Sequence, residues 1–258
     1  GHDRIFDHMM LDGLEDAYEA GRSMGTFGED CAAKYSFTRE QQDAFATASV
    51  QRAKAATESG AFAAEIVPVT VKDRSGERVV SVDEGPGKVK LEKIATLKPA
   101  FKKDGTITAA SSSSINDGAA ALVMMRESTA KKLGAKPLAR IVSHATHAQE
   151  PEWFATAPLG ATQKALAKAG WQVGDVQLWE INEAFAVVPM ALMKELDLPH
   201  DKVNVNGGAC ALGHPIGASG ARIMVTLIHA LKARGLTKGL ATLCIGGGEA
   251  TAMAIEII

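Results

Sequence analysis

The feature that most constrains the fold is the alternation of strand-like and helix-like segments between residues 137 and 258. In chain order the segments predict a strand, a helix, a strand, a helix, a strand, a helix and two final strands: 137–148, 162–169, 176–181, 183–196, 202–205, 217–233, 240–244 and 251–258. This order is typical of an α/β layered core in which helices cover a sheet. The last helix is apolar on nearly every side, so we expect it to be buried.

The first half of the chain is less regular. A capping box formed by Thr38 and Gln41 predicts a long helix that ends near Gly60. The other expected elements are a helix at 9–20, a hairpin of 66–71 with 78–82, a strand at 119–125 and a helix at 128–133.

Composition excludes several classes of protein. The chain has 258 residues, 46% of them hydrophobic, and a net charge of −2, which excludes disorder as the main state. Acidic residues outnumber basic ones, so a nucleic-acid partner is not indicated. Three cysteines, an odd number, favour reduced thiols rather than a disulfide framework. Reduced thiols point to a cytoplasmic protein. The most apolar stretch, 221–233, is too short and too often charged to cross a membrane.

The first candidate site residue is Asn182, which lies where a predicted strand ends and a helix begins, beside Glu183. Catalytic groups favour the carboxyl ends of strands in α/β sheets. The alternative is that Asn182 only caps the following helix.

The second candidate is His214, which lies in the glycine-rich run 206–220 just before the buried helix. Glycines let the backbone approach a ligand closely, and a helix N-terminus favours nearby negative charge. Two other interpretations are disfavoured. The spacing of Gly213, Gly217 and Gly220 does not fit a dinucleotide fingerprint. Cys210 and His214 have no second ligand pair at the spacing of a metal site.

The third candidate is Cys244, which ends a predicted strand and precedes three glycines, Gly246, Gly247 and Gly248. A thiol beside a histidine or a helix N-terminus can act as a base or a nucleophile. The alternative is a small buried hydrophobic residue. Cys31 falls in a helical pattern and is interpreted as structural.

These runs together resemble the three C-terminal motifs of the thiolase family. The motifs are Asn182-Glu183-Ala184-Phe185, the run from Gly208 to Gly220 around His214-Pro215, and Cys244-x-Gly246-Gly247-Gly248. The separations match as well, with 32 residues from Asn182 to His214 and 30 from His214 to Cys244. The resemblance runs from about Asp7 to the C-terminus.

The resemblance implies a layered α-β-α-β-α core of two similar halves, with an α+β loop domain inserted in the first. It implies that residues 1–115 are a CoA-binding loop domain, 116–136 the tail of the N-terminal half and 137–258 the complete C-terminal half. Thiolases carry a nucleophilic cysteine before the loop domain, and Cys31 does not lie in a matching motif. We therefore expect a C-terminal two-thirds of a thiolase that lacks most of the first half and is inactive alone.

The activity implied by the resemblance is acyl-CoA C-acyltransfer in fatty acid metabolism. Two acetyl-CoA molecules condense to acetoacetyl-CoA, or a 3-ketoacyl-CoA is cleaved by coenzyme A. In this scheme His214 activates the nucleophilic thiol and donates to the thioester oxygen, to which a water held by Asn182 also donates. Cys244 moves the α-carbon proton, and the backbone N–H of Gly246 helps a second oxyanion site.

The resemblance also implies the binding residues and partners. Leu14, Phe101 and Ser113 match positions along the pantetheine tunnel, and Met24 and Phe185 match positions near the acyl pocket. Coenzyme A thioesters are the substrates, and no metal or other cofactor is expected. The expected partners are the missing N-terminal thiolase portion and further copies of the chain, as a dimer or tetramer. The alternatives are a non-catalytic acyl-CoA-binding or assembly subunit and a Rossmann-like oxidoreductase.

Overall fold

The computed structural model describes all residues from 1 to 258. Its strands are β1 (Val69–Asp73), β2 (Gly76–Val80), β3 (Ala139–Ala148), β4 (Leu178–Ile181), β5 (Lys238–Ile245) and β6 (Glu249–Ile257). Its helices are α1 (Met24–Tyr35), α2 (Arg39–Glu58), α3 (Gly85–Lys88), α4 (Glu127–Leu133), α5 (Ala157–Ala169), α6 (Val187–Leu196), α7 (Ala209–Leu212) and α8 (Ile216–Ala233). A π-helical turn lies at Met10–Leu14, and 3-10 turns lie at Leu91–Thr96, Pro151–Thr156, Val173–Asp175 and His200–Lys202.

The centre of the molecule is a four-stranded mixed sheet in the order β3-β6-β5-β4. β4 and β5 run parallel, with Ile181 opposite Thr242, whereas β6 is antiparallel to both β5 and β3. The parallel pair brings the carboxyl ends of β4 and β5 to the same edge of the sheet. That edge is where the candidate residues at 182 and 244 were expected to lie.

Helices cover both faces of this sheet. Successive strand residues point to opposite faces, so Trp179 packs on α5 while its neighbour Leu178 packs on α8. α8 buries Ile223, Leu227 and Leu231. The predicted α/β layered core is therefore confirmed. The prediction that α8 is buried is confirmed for one face only, because Gly217 remains exposed at its start.

The N-terminal region contributes α2, which packs directly against the loop that carries the second motif. The capping box is present, with Thr38 Oγ1 accepting from the Gln41 N–H at 3.2 Å and Gln41 Oε1 accepting from the Thr38 N–H at 3.0 Å. Val50 and Ala53 of α2 pack against Ala211 of α7. The hairpin of β1 and β2 forms as expected, but most of its residues are exposed.

Four expected elements differ from the structure. Residues 119–125 form no strand, because no neighbouring strand pairs with them. Residues 202–205 contribute only an isolated bridge between Val203 and Trp179. The helix expected from residue 183 begins at 187, since the Ala184 carbonyl and the Ala186 N–H are bonded to the backbone of Ser113 and Ser111 instead. The helix expected at 9–20 shortens to the turn that ends at Leu14.

None of the helices is both long and apolar enough to traverse a bilayer.

Candidate active site

The candidate site lies where β4 and β5 end and α8 begins. The Asn182 N–H donates to the Thr242 carbonyl at 3.0 Å, so the chain stays beside β5 for one residue after β4 ends. Cys244 lies two residues after Thr242, near the end of β5. His214 reaches the same edge from the loop between α7 and α8.

The side chains of Asn182 and His214 contact each other directly. Asn182 Nδ2 lies 3.2 Å from His214 Nε2, although 32 residues separate them in the sequence. Asn182 is 1% exposed, and its Oδ1 makes no hydrogen bond. Helix α6 begins after Ala186, so Asn182 does not cap it. The capping interpretation of Asn182 is therefore wrong.

Ser219 fixes the orientation of the His214 ring. The Ser219 hydroxyl lies 2.5 Å from His214 Nδ1 and also donates to the Pro215 carbonyl at 3.0 Å. A serine has only one hydroxyl proton, and the Pro215 carbonyl can only accept. The proton in the contact with His214 therefore belongs to Nδ1. Nε2 is left with its lone pair, which faces the amide of Asn182.

The backbone around His214 is equally constrained. The His214 N–H donates to the Ser114 carbonyl at 3.0 Å. Gly213 has a φ of 86°, and a Cβ there would overlap the Asn116 side chain. Only glycine fits both conditions without strain.

The imidazole of His214 is neutral near pH 7. Burial is the main cause that lowers its pKa to about 4, and the positive charge of Arg222 lowers it further. A neutral ring with an unprotonated Nε2 can accept a proton. This protonation state is the one that a general base requires.

Cys244 is 7% exposed and carries a neutral thiol. Burial is the largest cause that raises its pKa to about 12. A buried thiol with this pKa is a proton donor near neutral pH rather than a free thiolate. The turn that follows includes Gly247 and Gly248, with φ values of 84° and 82°, and Gly248 accepts a hydrogen bond from the Gln149 N–H at 2.9 Å.

Three of the five expected binding residues share one apolar cluster with Cys244. Met24, Phe101 and Phe185 pack together there. The rings of Phe101 and Phe185 meet edge to face, with centroids 5.6 Å apart. Met24 also borders the turn, because a Cβ on Gly246 would lie 3.7 Å from its sulfur.

The remaining two expected binding residues lie at the margin of the site. The Ser113 N–H and hydroxyl both donate to the Ala184 carbonyl at 3.0 Å, next to Phe185. Leu14 lies outside the apolar cluster, in a turn whose Gly13 faces the side chain of Ile216.

Sequence reasoning did not assign a role to Glu183, which the structure places at the centre of a buried network. Glu183 is 0% exposed. Its carboxylate accepts from Ser49 Oγ at 2.7 Å, from Asn204 Nδ2 at 2.7 Å and from the Cys210 N–H at 3.0 Å. The only sequence signal was its position beside Asn182.

Two alternative interpretations do not fit the geometry. Helix α8 follows the short helix α7 rather than a strand, whereas a dinucleotide fingerprint requires a strand, a turn and a helix. No group of three or more histidine, cysteine or acidic side chains is arranged to hold a metal ion.

Family models match nearly the whole chain. The model described as "Thiolase, N-terminal domain" matches residues 1–128, and "Thiolase, C-terminal domain" matches residues 135–257. The match to residues 1–128 partly overturns the expectation that the N-terminal half is absent. The loop domain was interpreted separately from that half, whereas the N-terminal family model includes it.

Known proteins resemble the chain closely. The acetyl-CoA acetyltransferases of Chromobacterium violaceum and Escherichia coli are each 53% identical to it, over 99% of this chain and 66% and 65% of their own lengths. A Bacillus anthracis acetyl-CoA acetyltransferase structure matches with a TM-score of 0.96 and 48% identity, over 100% of this chain and 65% of that one. The structure of Acat5 thiolase from Ascaris suum in complex with coenzyme A matches with a TM-score of 0.89 and 42% identity, over 100% of this chain and 66% of that one. The chain spans just under two thirds of these relatives.

Proposed function

The chain belongs to the thiolase family, and from that premise we propose that it serves an acyl-CoA C-acyltransferase. The proposed reaction joins two acetyl-CoA molecules into acetoacetyl-CoA, or cleaves a 3-ketoacyl-CoA in reverse. The observation that carries the proposal is the contact between Asn182 and the unprotonated Nε2 of His214. This contact places a base, His214 Nε2, beside a hydrogen-bond donor, the Asn182 amide.

In the first half-reaction His214 Nε2 takes the proton of the nucleophilic thiol. The thiolate then attacks the thioester carbonyl, the C–S bond to coenzyme A breaks, and the departing coenzyme A thiolate takes the proton from His214 Nε2. The developing oxyanion accepts from Nε2–H of His214 and from a water held by Asn182. Donors of this kind are each worth about 3–4 kcal/mol in the transition state. Cys31 does not lie in a matching motif and the Cys210 thiol faces the Glu183 carbonyl, so the proposal assigns the nucleophilic thiol to neither of them.

In the second half-reaction Cys244 moves a proton at the α-carbon. During condensation the Cys244 thiol first passes its proton to the neutral His214, and the thiolate so formed removes a proton from the methyl group of the second acetyl-CoA. The resulting carbanion attacks the acyl carbon, the C–S bond to the nucleophilic cysteine breaks, and the released thiolate takes its proton back from His214. During cleavage the Cys244 thiol returns that proton to the carbon. The raised pKa of Cys244 supports this role, because it keeps the thiol protonated near neutral pH. The Gly246 N–H would donate to the second oxyanion. A positioned proton-transfer group contributes roughly 10²–10⁴-fold to the rate.

The remaining assignments belong to the same proposal. Leu14, Met24, Phe101, Ser113 and Phe185 bind the substrate, and residues 1–115, 116–136 and 137–258 form the loop domain, the tail of the N-terminal half and the C-terminal half. The substrates are coenzyme A thioesters, with no metal or other cofactor. We assign the protein to the cytoplasm as a homodimer or homotetramer.

The test combines binding and turnover. Cleavage of acetoacetyl-CoA by coenzyme A is followed with the chain, alone and mixed with a polypeptide matching the part of the Bacillus relative that it does not cover. Turnover that disappears in His214→Ala supports the proposal. Calorimetric binding of coenzyme A without turnover in either sample would instead support a non-catalytic acyl-CoA-binding subunit.

A further inference from the structure

The carboxylate of Glu183 accepts hydrogen bonds from three donors. Its Oε2 accepts from Ser49 and from the Cys210 N–H, while its Oε1 accepts from Asn204. An ionised carboxylate is an acceptor at every lone pair, whereas an amide must present an NH₂ group on one side. No orientation of a glutamine would therefore satisfy all three donors.

The three donors come from three different parts of the fold. Ser49 lies on α2, Cys210 lies on α7 ahead of His214, and Asn204 follows the bridge beside β4. Ser49 also accepts from the Gly208 N–H at 2.9 Å, which adds a second tie between α2 and the glycine-rich loop. Asn204 bonds the backbone of Ile181 on both sides, at 2.8 Å each. One carboxylate thus joins α2, the loop leading to His214 and the strand leading to Asn182.

We propose, on the basis of the function assigned above, that Glu183 is a positioning residue that holds the His214 loop against Asn182 and ties both to α2. Glu183 touches neither His214 nor any reacting atom in this scheme. It acts through the Gly208–Cys210 backbone, which leads directly into Gly213 and His214. A displacement of α2 would therefore shift the His214 ring.

The space around Glu183 supports the proposal. A Cβ on Gly208 would overlap the Glu183 carboxyl group, and a Cβ on Gly207 would meet the Ser49 carbonyl. The loop and the carboxylate are therefore packed without room for an alternative arrangement. Loss of this network would let the Gly208–His214 loop shift, and a more hydrated His214 ring would protonate more readily, because burial is the main cause that lowers its pKa.

The test is a ¹⁵N NMR titration of the histidine rings in the 258-residue chain, which needs no turnover. In Glu183→Gln we expect the His214 titration midpoint to rise by about one pH unit and its tautomer preference to weaken. The matched control is Glu29→Gln. Glu29 is also buried and accepts from the Thr106 and Ile107 N–H groups, but it lies on α1. The control is expected to lose stability while its His214 midpoint stays unchanged.

The outcomes separate this proposal from the proposed function. An unchanged His214 midpoint and tautomer in Glu183→Gln would overturn the positioning role, whatever the activity assay shows. If Glu183→Gln does not fold, the same titration of the Ser49→Ala variant tests the proposal. This variant keeps the Glu183 side chain and removes both hydrogen bonds of the Ser49 hydroxyl, the one to Glu183 and the one from the Gly208 N–H, so we expect a smaller shift in the same direction, and no shift would overturn the proposal.

Discussion

Asn182 Nδ2 and His214 Nε2 lie 3.2 Å apart, and this contact orients the one ring nitrogen that carries no proton. The amide approaches from the end of β4, and the ring approaches from the start of α8. The position of each residue is fixed by a second contact. The Asn182 N–H donates to the Thr242 carbonyl, and His214 Nδ1 contacts the Ser219 hydroxyl.

Replacing the amide by a carboxylate tests this contact. In Asn182→Asp we expect the titration midpoint of His214 to rise from about 4 by 1–2 units, because a neighbouring negative charge favours the imidazolium. NMR titration measures the midpoint. Asn182→Leu removes the contact without adding charge and should leave the midpoint well below that of the aspartate variant. Equal midpoints in the two variants would contradict the contact.

His214 also predicts how stability depends on pH. Its folded pKa of about 4 lies below the unfolded value of about 6.5, so the unfolded chain binds more protons between these values. The contribution is fully present above pH 6.5 and is lost as the pH falls towards 4, by on the order of 2 kcal/mol. Urea unfolding of wild type and His214→Gln at pH 7.5 and 5 measures it.

The difference between wild type and His214→Gln isolates this histidine from the other groups. Glu180 contributes in the opposite direction, since burial raises its pKa to about 8. The exposed His8 offers a control, and His8→Gln should follow the wild-type profile. A parallel pH profile for His214→Gln and wild type would disprove the assignment.

Gly208 and Gly217 should respond oppositely to alanine. A Cβ at Gly208 would overlap the buried Glu183 carboxyl group, and we expect a loss of about 1–3 kcal/mol. A Cβ at Gly217, in the first turn of α8, would meet nothing within 4 Å. There alanine should stabilise by about 0.5–1 kcal/mol. Denaturant unfolding of both variants gives the comparison, and a Gly208→Ala variant as stable as wild type would refute this packing.

Cys244→Ser should separate the two half-reactions. The serine hydroxyl is a much weaker acid than a thiol, so proton transfer at the α-carbon should fall by roughly 10²–10⁴-fold. Acyl transfer to the nucleophilic thiol, which does not use Cys244, should persist in the chain paired with the polypeptide described above. Radiolabelled acetyl-CoA monitors acylation and product formation separately. Equal losses in both steps would argue against the assigned role.

The unpaired segment 119–125 predicts self-association. Val123 and Met124 are 87% and 68% exposed, although the segment has the sequence pattern of a strand. Val123→Lys should therefore shift sedimentation towards the monomer, since exposed apolar patches favour association. Val67 is a control, because it is also 81% exposed but lies before the β1–β2 hairpin. Val67→Lys should not change the sedimentation profile, and the same effect in both variants would exclude a specific role for 119–125.

The sequence predicted most of the sheet and the long helices because their patterns depend on local chemistry. The Thr38–Gln41 box and the apolar face of α8 are examples. It failed where pairing decides the structure, as at 119–125, which has strand character but no partner. It also missed Glu183, because the three donors that define its role come from residues 49, 204 and 210 and meet only in the folded chain.

The side chain of Asn204 has a consequence for assembly. Its bonds to the N–H and the carbonyl of Ile181 occupy the outer side of β4, which is one border of the sheet. A strand from another molecule would have to displace this asparagine to pair there, whereas the outer side of β3 has no strand beside it. Pairing with a further strand is therefore blocked at β4, whereas the edge at β3 stays open to it.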